Sequence, residues 1–403
     1  MKLEFDRTIF TQLLLVILMA CCYAPAVAQT DDQAKKTEED LSRLRPDAPD
    51  PIASKELETS IAKGVKHLID TQNKNGSWGG PQWTGGVDRD PVPGSFRSFD
   101  IAVTAMCLEA LTDVEQTEKI KAANDKALEF LFSKTNKVQR AGPGDLPHIW
   151  AHCYCIQTFS KMFGLTEDAD KRKELVDAIK IHMKGLDRWQ SIHGGWFYYG
   201  SGMSKPINPS CSFVNAAVLV ALARARDIGV DCNQKTLKRA LQATMMMRKP
   251  DGTFLYTARI PGDMRGAARE INRPAGSLGR TQSGNAALRL WKEEKITNEV
   301  IRVWLNRMVT RHGWLDMGRK KPIPHESFAA VAGYFYYFGV YYSTECIELL
   351  PLAEQRFYKH HLARLLIDRQ EKDGSWFDYP LYSYHKPYGT AFALLGLQRC
   401  RIE

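Results

Sequence analysis

The spacing Gln-x3-Gly-x-Trp constrains this chain more than any other feature. It occurs at Gln72, Gly76 and Trp78, at Gln190, Gly194 and Trp196, and at Gln370, Gly374 and Trp376. Looser copies end at Gly252 and Phe254 and at Gly313 and Trp314. From Trp196 onward the anchor aromatics fall at 196, 254, 314 and 376, gaps of 58, 60 and 62 residues. A period that steady predicts stacked structural units, each unable to bury its apolar face alone.

Each unit reads as a helical hairpin. A helix-patterned segment runs up to the Gln, and Gly stops it by taking a left-handed turn. The aromatic then folds back as an apolar plug, and a loop leads to a second helix. The periodicity predicts first helices over about 54–72, 118–133, 168–190, 235–248, 298–311 and 352–369. It predicts second helices over about 99–111, 148–163, 212–226, 281–291, 326–342 and 388–399. The first set carries charge on one face, as in KELVDAIKIHMKGLDRW; the second is nearly all apolar, as in FVNAAVLVALA, which suits helices covered on both sides. The second hairpin lacks an aromatic anchor. The expected fold is all-α: six hairpins, arranged either as a closed (α/α)6 toroid or as an open superhelix.

The chain as a whole sets further bounds. Of 403 residues, 44% are hydrophobic, ample for one large core in a repeat array. Fifty-five basic against 46 acidic residues leave a net charge of +9, which points to an anionic ligand or surface. No Lys/Arg-rich run accompanies the charge, so nucleic acid is not indicated. At the start, Lys2 and Arg7 precede the apolar run Leu13 to Ala20 and then Ala26-Val27-Ala28, the layout of a secretory signal over residues 1–28. Leu18-Met19-Ala20-Cys21 offers the other route, a lipid anchor on Cys21 with peripheral membrane contact. Both imply a periplasmic or extracellular protein. Residues 29–54, with Pro46, Pro49 and Pro51, read as a flexible linker, and 55–403 as the toroid. Seven scattered cysteines would remain after cleavage, an odd number and no disulfide framework. Nothing in the pattern fixes the oligomeric state.

The repeat resembles that of squalene and oxidosqualene cyclases, whose α/α-toroid is shared with protein prenyltransferase β subunits. The resemblance covers about residues 55–403. It implies closure at six hairpins and an isoprenoid ligand, yet the catalytic signatures of both groups are missing. Cyclases that protonate squalene use Asp-x-Asp-Asp at an inner-helix start, where this chain has Asp100 alone. The HCYC string looks like the prenyltransferase segment bearing a zinc-ligand His, but that His position is Ala151 here, and Pro209 stands where an Asp should precede Cys211. His148, His152 and Cys155 would share one helical stripe and could join a carboxylate or Cys211 around zinc. On balance no metal or other cofactor is expected.

In such a ring the inner-helix N-termini point to one mouth, where free N–H groups and the helix dipole favour anions. Loops reaching that mouth carry Arg259, Arg265, Arg269, Arg273 and Arg280, then Arg319, Lys320 and Lys321. Aromatics crowd Tyr334 to Tyr342 and follow the anchors at Phe197 and at Tyr379, Tyr382 and Tyr384. Asp100 and the pair His325 and Glu326 are therefore the acid–base candidates. Arg97, His152, Arg273, Arg280, Tyr334, Tyr337 and Tyr388 are the candidate ligand contacts. The expected function is an exported toroid that holds an isoprenoid-like or amphiphilic anionic small molecule in its central cavity. One alternative is a lyase or hydrolase for acidic glycans, with basic residues neutralising uronates and His325, Tyr334 or Tyr388 as base and acid. The other is a non-enzymatic interaction scaffold. A dry aromatic chamber favours a lipid, an open cleft a glycan, and a cavity plugged by its own side chains a scaffold.

Overall fold

A computed structural model describes residues 44–86, 97–137, 148–197, 209–258, 269–326 and 329–402. Residues 46–403 make one compact unit. The predicted signal, Cys21 and most of the linker lie outside the described residues. The linker's last stretch runs along helix 352–367: Ile52 donates its N–H to His360 Nδ1 (3.1 Å), and His361 Nε2 meets the Asp47 carbonyl (3.1 Å). Among the described residues no helix is long and apolar enough to cross a membrane.

In chain order the helices are α1 (Ser54–Thr71), α2 (Arg97–Ala110), α3 (Glu118–Thr135), α4 (His148–Leu165), α5 (Ala169–Trp189), α6 (Ser212–Asp227) and α7 (Gln234–Met246). There follow α8 (Pro274–Leu290), α9 (Asn298–Arg311), the short α10 (Gly313–Asp316), α11 (Phe335–Glu348), α12 (Leu352–Ile367) and α13 (His385–Arg399). One two-residue ribbon, β1 (Ser210–Cys211) against β2 (Thr257–Ala258), pairs antiparallel. Four of the outer helices begin at polar caps, whereas α1 and α12 start after Ala53 and Pro351 without one. Thr117, Asp168, Asn233 and Thr297 each accept a backbone N–H of the first turn of α3, α5, α7 and α9.

The ring closes. Inner helices α2, α4, α6, α8, α11 and α13 touch in that order, and α13 returns to α2. Their sides are buried nearly all round, whereas α1, α5 and α7 bury a single stripe. The repeat residues explain how neighbouring hairpins are joined. Gly76, Gly194, Gly252 and Gly374 all have φ between +79° and +95°. A Cβ on Gly374 would lie 2.5 Å from the Lys63 carbonyl oxygen, so both backbone conformation and space demand glycine there. Trp78, Trp196 and Trp376 are wholly buried and donate their indole N–H to Leu68, Leu186 and Leu366 carbonyls, at 2.7, 2.9 and 2.7 Å. Each Gln amide bridges two units. Gln72 donates to Gly76 and to Ala123 of α3, Gln190 to Gly194 and to Thr236 of α7, and Gln370 to Gly374 and to Ser60 of α1. That last bond joins the sixth hairpin to the first.

Three expectations need correction. Trp314 is not an anchor: it sits half-buried on α10, and Gly313 does not turn left-handed. The fifth inner helix starts at Phe335, so His325 and Glu326 lie in the loop before it rather than at its first turn. The fourth inner helix starts at Pro274, whose fixed φ and missing N–H suit a first-turn position.

The axis of the ring is filled. Phe213 of α6, Phe338 of α11 and Phe392 of α13 meet edge to face, and Tyr154 of α4 packs on Phe392 at 6.0 Å. Toward the other end, buried Glu345 sits between Arg224 and Arg399, 2.5 Å from each. The expected aromatic chamber is therefore packed with its own side chains at this depth.

Candidate active site

Beyond this packing lies the mouth formed by the inner-helix N-termini. Arg259 and Arg265 lie outside the described residues. Among the described residues two groupings of titratable side chains occupy that mouth.

The first is built around His325, at φ +65°, with Ala330 at φ +50°. Left-handed backbone at non-glycine positions costs energy and persists only where surroundings enforce it. Here it sets His325 Nδ1 2.8 Å from the Ala330 carbonyl. A carbonyl only accepts, so Nδ1 carries the proton and Nε2 is bare. Tyr334 lies with its hydroxyl 3.3 Å from that Nε2 and 3.3 Å from the hydroxyl of Tyr256. The chain thus has one direction: Tyr256 donates to Tyr334, Tyr334 to His325, and His325 to Ala330. Burial holds His325 below the ordinary imidazole range, with the Ala330 bond opposing and the Arg280 charge assisting. At neutral pH it is an uncharged base. All three side chains are half-buried, so the chain reaches the surface.

The second grouping is Asp100, in the first turn of α2, which accepts a hydrogen bond from Tyr384 at 2.5 Å. Burial raises the Asp100 carboxyl, with the Tyr384 bond opposing. The loop after Trp78 lies on Tyr384 so closely that a Cβ at Gly79 would come 2.3 Å from its ring. Half-exposed Trp150 of α4 stacks on Phe213 between these groupings in ring order.

Other candidates stand elsewhere. Arg97 and Arg273 are exposed on the rim, Arg273 facing Glu270 at 3.9 Å. Glu326 is exposed. Arg319 and Lys320 are taken up by Asp316 and Glu371. Four expected ligand contacts, Arg280, Tyr337, Tyr388 and His152, are buried in the wall. Arg280 is 0% exposed. Tyr337 is buried on α11, and Tyr388 is bonded to Asp378 at 2.5 Å. His152 faces outward to α5, its Nδ1 3.0 Å from that of His182, in a space that only Gly185 leaves open. That orientation also takes His152 off any stripe shared with a cavity metal, and among the described residues no group of three or more metal-ligating side chains assembles. A groove of about 980 Å³ between α3 and α5, lined by Asp125, Glu129, Asp170 and Glu174 among others, is on the outside of the ring and away from both groupings.

Sequence reasoning missed Tyr256 and Asp378. Each stands two residues after an anchor aromatic, Phe254 and Trp376, where the turn releases the chain toward the next inner helix. That offset was the available signal.

No protein-family model matches this sequence, and neither does any curated protein. Among solved structures the chain is similar to an unsaturated glucuronyl hydrolase from Streptococcus agalactiae, with TM-score 0.56, 14% identity, and 86% of this chain and 92% of that one covered. It is similar to an alpha-1,6-mannanase of Salegentibacter sp. in complex with alpha-1,6-mannotetrose, with TM-score 0.52, 12% identity, and 85% and 97% covered. A D-mannose isomerase aligns with TM-score 0.53, 14% identity, and 86% and 97% covered. At such identities the likeness speaks for the fold, an α/α-toroid. It also corrects the family expected from the repeat. These neighbours are saccharide-acting toroids rather than squalene cyclases or prenyltransferases, and the terpenoid reading falls with that resemblance.

Proposed function

We propose that the protein is an enzyme acting on an acidic glycan, with its reaction centre at the mouth of the ring. The observation that carries this reading is the directed chain from Tyr256 through Tyr334 to the bare Nε2 of His325. A neutral imidazole backed onto a carbonyl and facing a phenol is a proton-transfer device. The rim arginines Arg97 and Arg273 supply the charge a uronate requires, because the C–H beside a carboxylate becomes acidic only when that carboxylate is neutralised. In the reaction class we favour, β-elimination, Tyr334 passes its proton to His325 and takes the proton next to the uronate carboxylate. The electron pair forms a C=C bond, the glycosidic C–O bond breaks, and the departing oxygen is protonated. Asp100, whose raised carboxyl holds a proton more readily than a free one, is the candidate donor. The neighbours support a glycan substrate, one being named for a glucuronyl and one for a mannan substrate, and the acidic class rests on the first of them. The ring contacts of Phe213, Phe338, Phe392 and Tyr154 count against a polyprenyl chain at that depth, without by themselves favouring a glycan.

The test is incubation with polyuronate oligosaccharides, with a neutral mannan as control. Elimination creates an unsaturated uronate that absorbs in the ultraviolet. His325→Ala and Tyr334→Phe are expected to lower kcat/KM by about 10²-fold or more, the range of a positioned acid–base group. A saturated product that has gained water would instead assign hydrolysis, with Asp100 as the acid. No turnover of any uronate substrate would sink the reading.

A further inference from the structure

Arg280 lies two turns inside α8 and is 0% exposed, unusual for a charged side chain without a counter-ion. Its guanidinium donates to the carbonyls of Gly276 (2.8 Å), Ile271 (2.5 Å) and Phe254 (3.3 Å), and its Nε has no partner. Among the described residues no carboxylate pairs with it. Instead its Cζ stands 5.2 Å from the centre of the Tyr256 ring and 5.4 Å from that of Phe335. Tyr256 in turn packs edge-on against His325, ring centres 5.4 Å apart.

Three carbonyl bonds alone are a thin reason to bury a full positive charge, since desolvation costs several kcal/mol. The charge gains meaning from what it lies under. A fixed positive field beneath an imidazole opposes a second positive charge on it.

We propose that Arg280 is a positioning residue for this site: its buried guanidinium, stacked behind the Tyr256 ring, adds to burial in keeping His325 an uncharged base and holds Tyr256 at the head of the proton chain. The inference rests on His325 being the base, as argued above. Arg280 never meets substrate, because the Tyr256 and Phe335 rings cover it. Other groups around His325 are accounted for. Tyr334 and Tyr256 bond along the chain, and Tyr379 packs on Tyr334 at 5.4 Å. Cys211 of β1 is buried and interacts electrostatically with Arg280. Glu270 faces Arg273 on the exposed turn before α8, Glu326 is exposed, and Arg319 and Lys320 are paired with Asp316 and Glu371.

The experiment is an NMR titration of the His325 imidazole in the whole protein, with His325→Gln to assign the resonance, and no substrate present. In the wild type His325 is expected to titrate below the ordinary imidazole range. Arg280→Gln keeps donors for the carbonyls but removes the charge, and should raise the midpoint part of the way back toward the ordinary range, since burial remains the larger cause. Arg280→Lys keeps the charge and should leave it low. A purely structural arginine would instead give equal effects, or none, in the Gln and Lys variants, and that result overturns the proposal. Should Arg280→Gln fail to fold, the wild type and Arg280→Lys decide the matter: a wild-type His325 titrating at or above the ordinary range overturns it, and so does a midpoint that rises in the Lys variant. A low midpoint that depends on Arg280, in a protein that turns over no uronate, would sink the glycan reading while leaving this one standing.

Discussion

At the residue scale the molecule keeps several ionisable groups in protonation states that water would not favour, and Asp378 is the clearest. It is fully buried, accepting from Tyr388 at 2.5 Å and from the Tyr337 backbone N–H at 3.0 Å, which ties α13 to the first turn of α11. Burial pushes its carboxyl up to about 7 despite those bonds. The sign follows directly. A carboxyl that ionises near 4 in the unfolded chain and near 7 in the native one favours folding while protonated. Its contribution is complete below about pH 4 and is lost as pH rises through 7, on the order of 4 kcal/mol across the window. Asp378→Asn should therefore show a flatter stability–pH curve than the wild type between those limits, measured by urea unfolding. Parallel curves would mean that the carboxyl ionises without penalty. Such residues are half-legible in sequence. Asp100 and His325 stand out as titratable groups near helix starts, but Tyr384 is 284 positions from the Asp100 it bonds, and only a closed ring brings them together.

At the element scale the hairpin turn is the repeating part, and its glutamine is more than a helix terminator. Gln370 spans from Gly374 to Ser60, 310 positions away in sequence, and accepts from the Ser60 hydroxyl at 3.0 Å. Gln370→Leu strands the Ser60 carbonyl beside an apolar group and should cost about 1–3 kcal/mol. Equilibrium unfolding checks this, and a variant as stable as wild type would show that packing alone joins the hairpins. The fold was legible because this turn is written locally: a left-handed glycine, an aromatic two residues later, a glutamine four residues earlier. The helix starts were less so. Glu326 to Tyr342 is apolar enough to read as one helix, yet left-handed His325 and Ala330 hold a loop open and delay α11 to Phe335. Trp314 matches the motif by spacing alone, but with Gly313 in ordinary backbone the chain continues as α10 instead of folding back.

At the scale of the whole molecule, the surplus of 55 basic over 46 acidic residues bears on how an anionic ligand would arrive. A long-range attraction of this kind fades as the screening length shrinks from about 30 Å at 0.01 M salt to about 8 Å at 0.15 M. Capture of an acidic oligosaccharide should weaken over that interval while capture of a neutral one of equal length does not, as followed by calorimetry. Equal salt response for both would detach the net charge from ligand binding. The bond from Gln370 to Ser60 has one more implication, for folding in time. Local hairpins can form as soon as their own residues are available, but the seam between the last and first repeats needs segments that enter the chain some 310 positions apart. Contacts of such separation form slowly because so much chain must be ordered before they are made. A growing or refolding chain would thus pass through an unclasped crescent, its two end faces still bare and sticky, and a second crescent could supply the missing face before the chain's own end arrives.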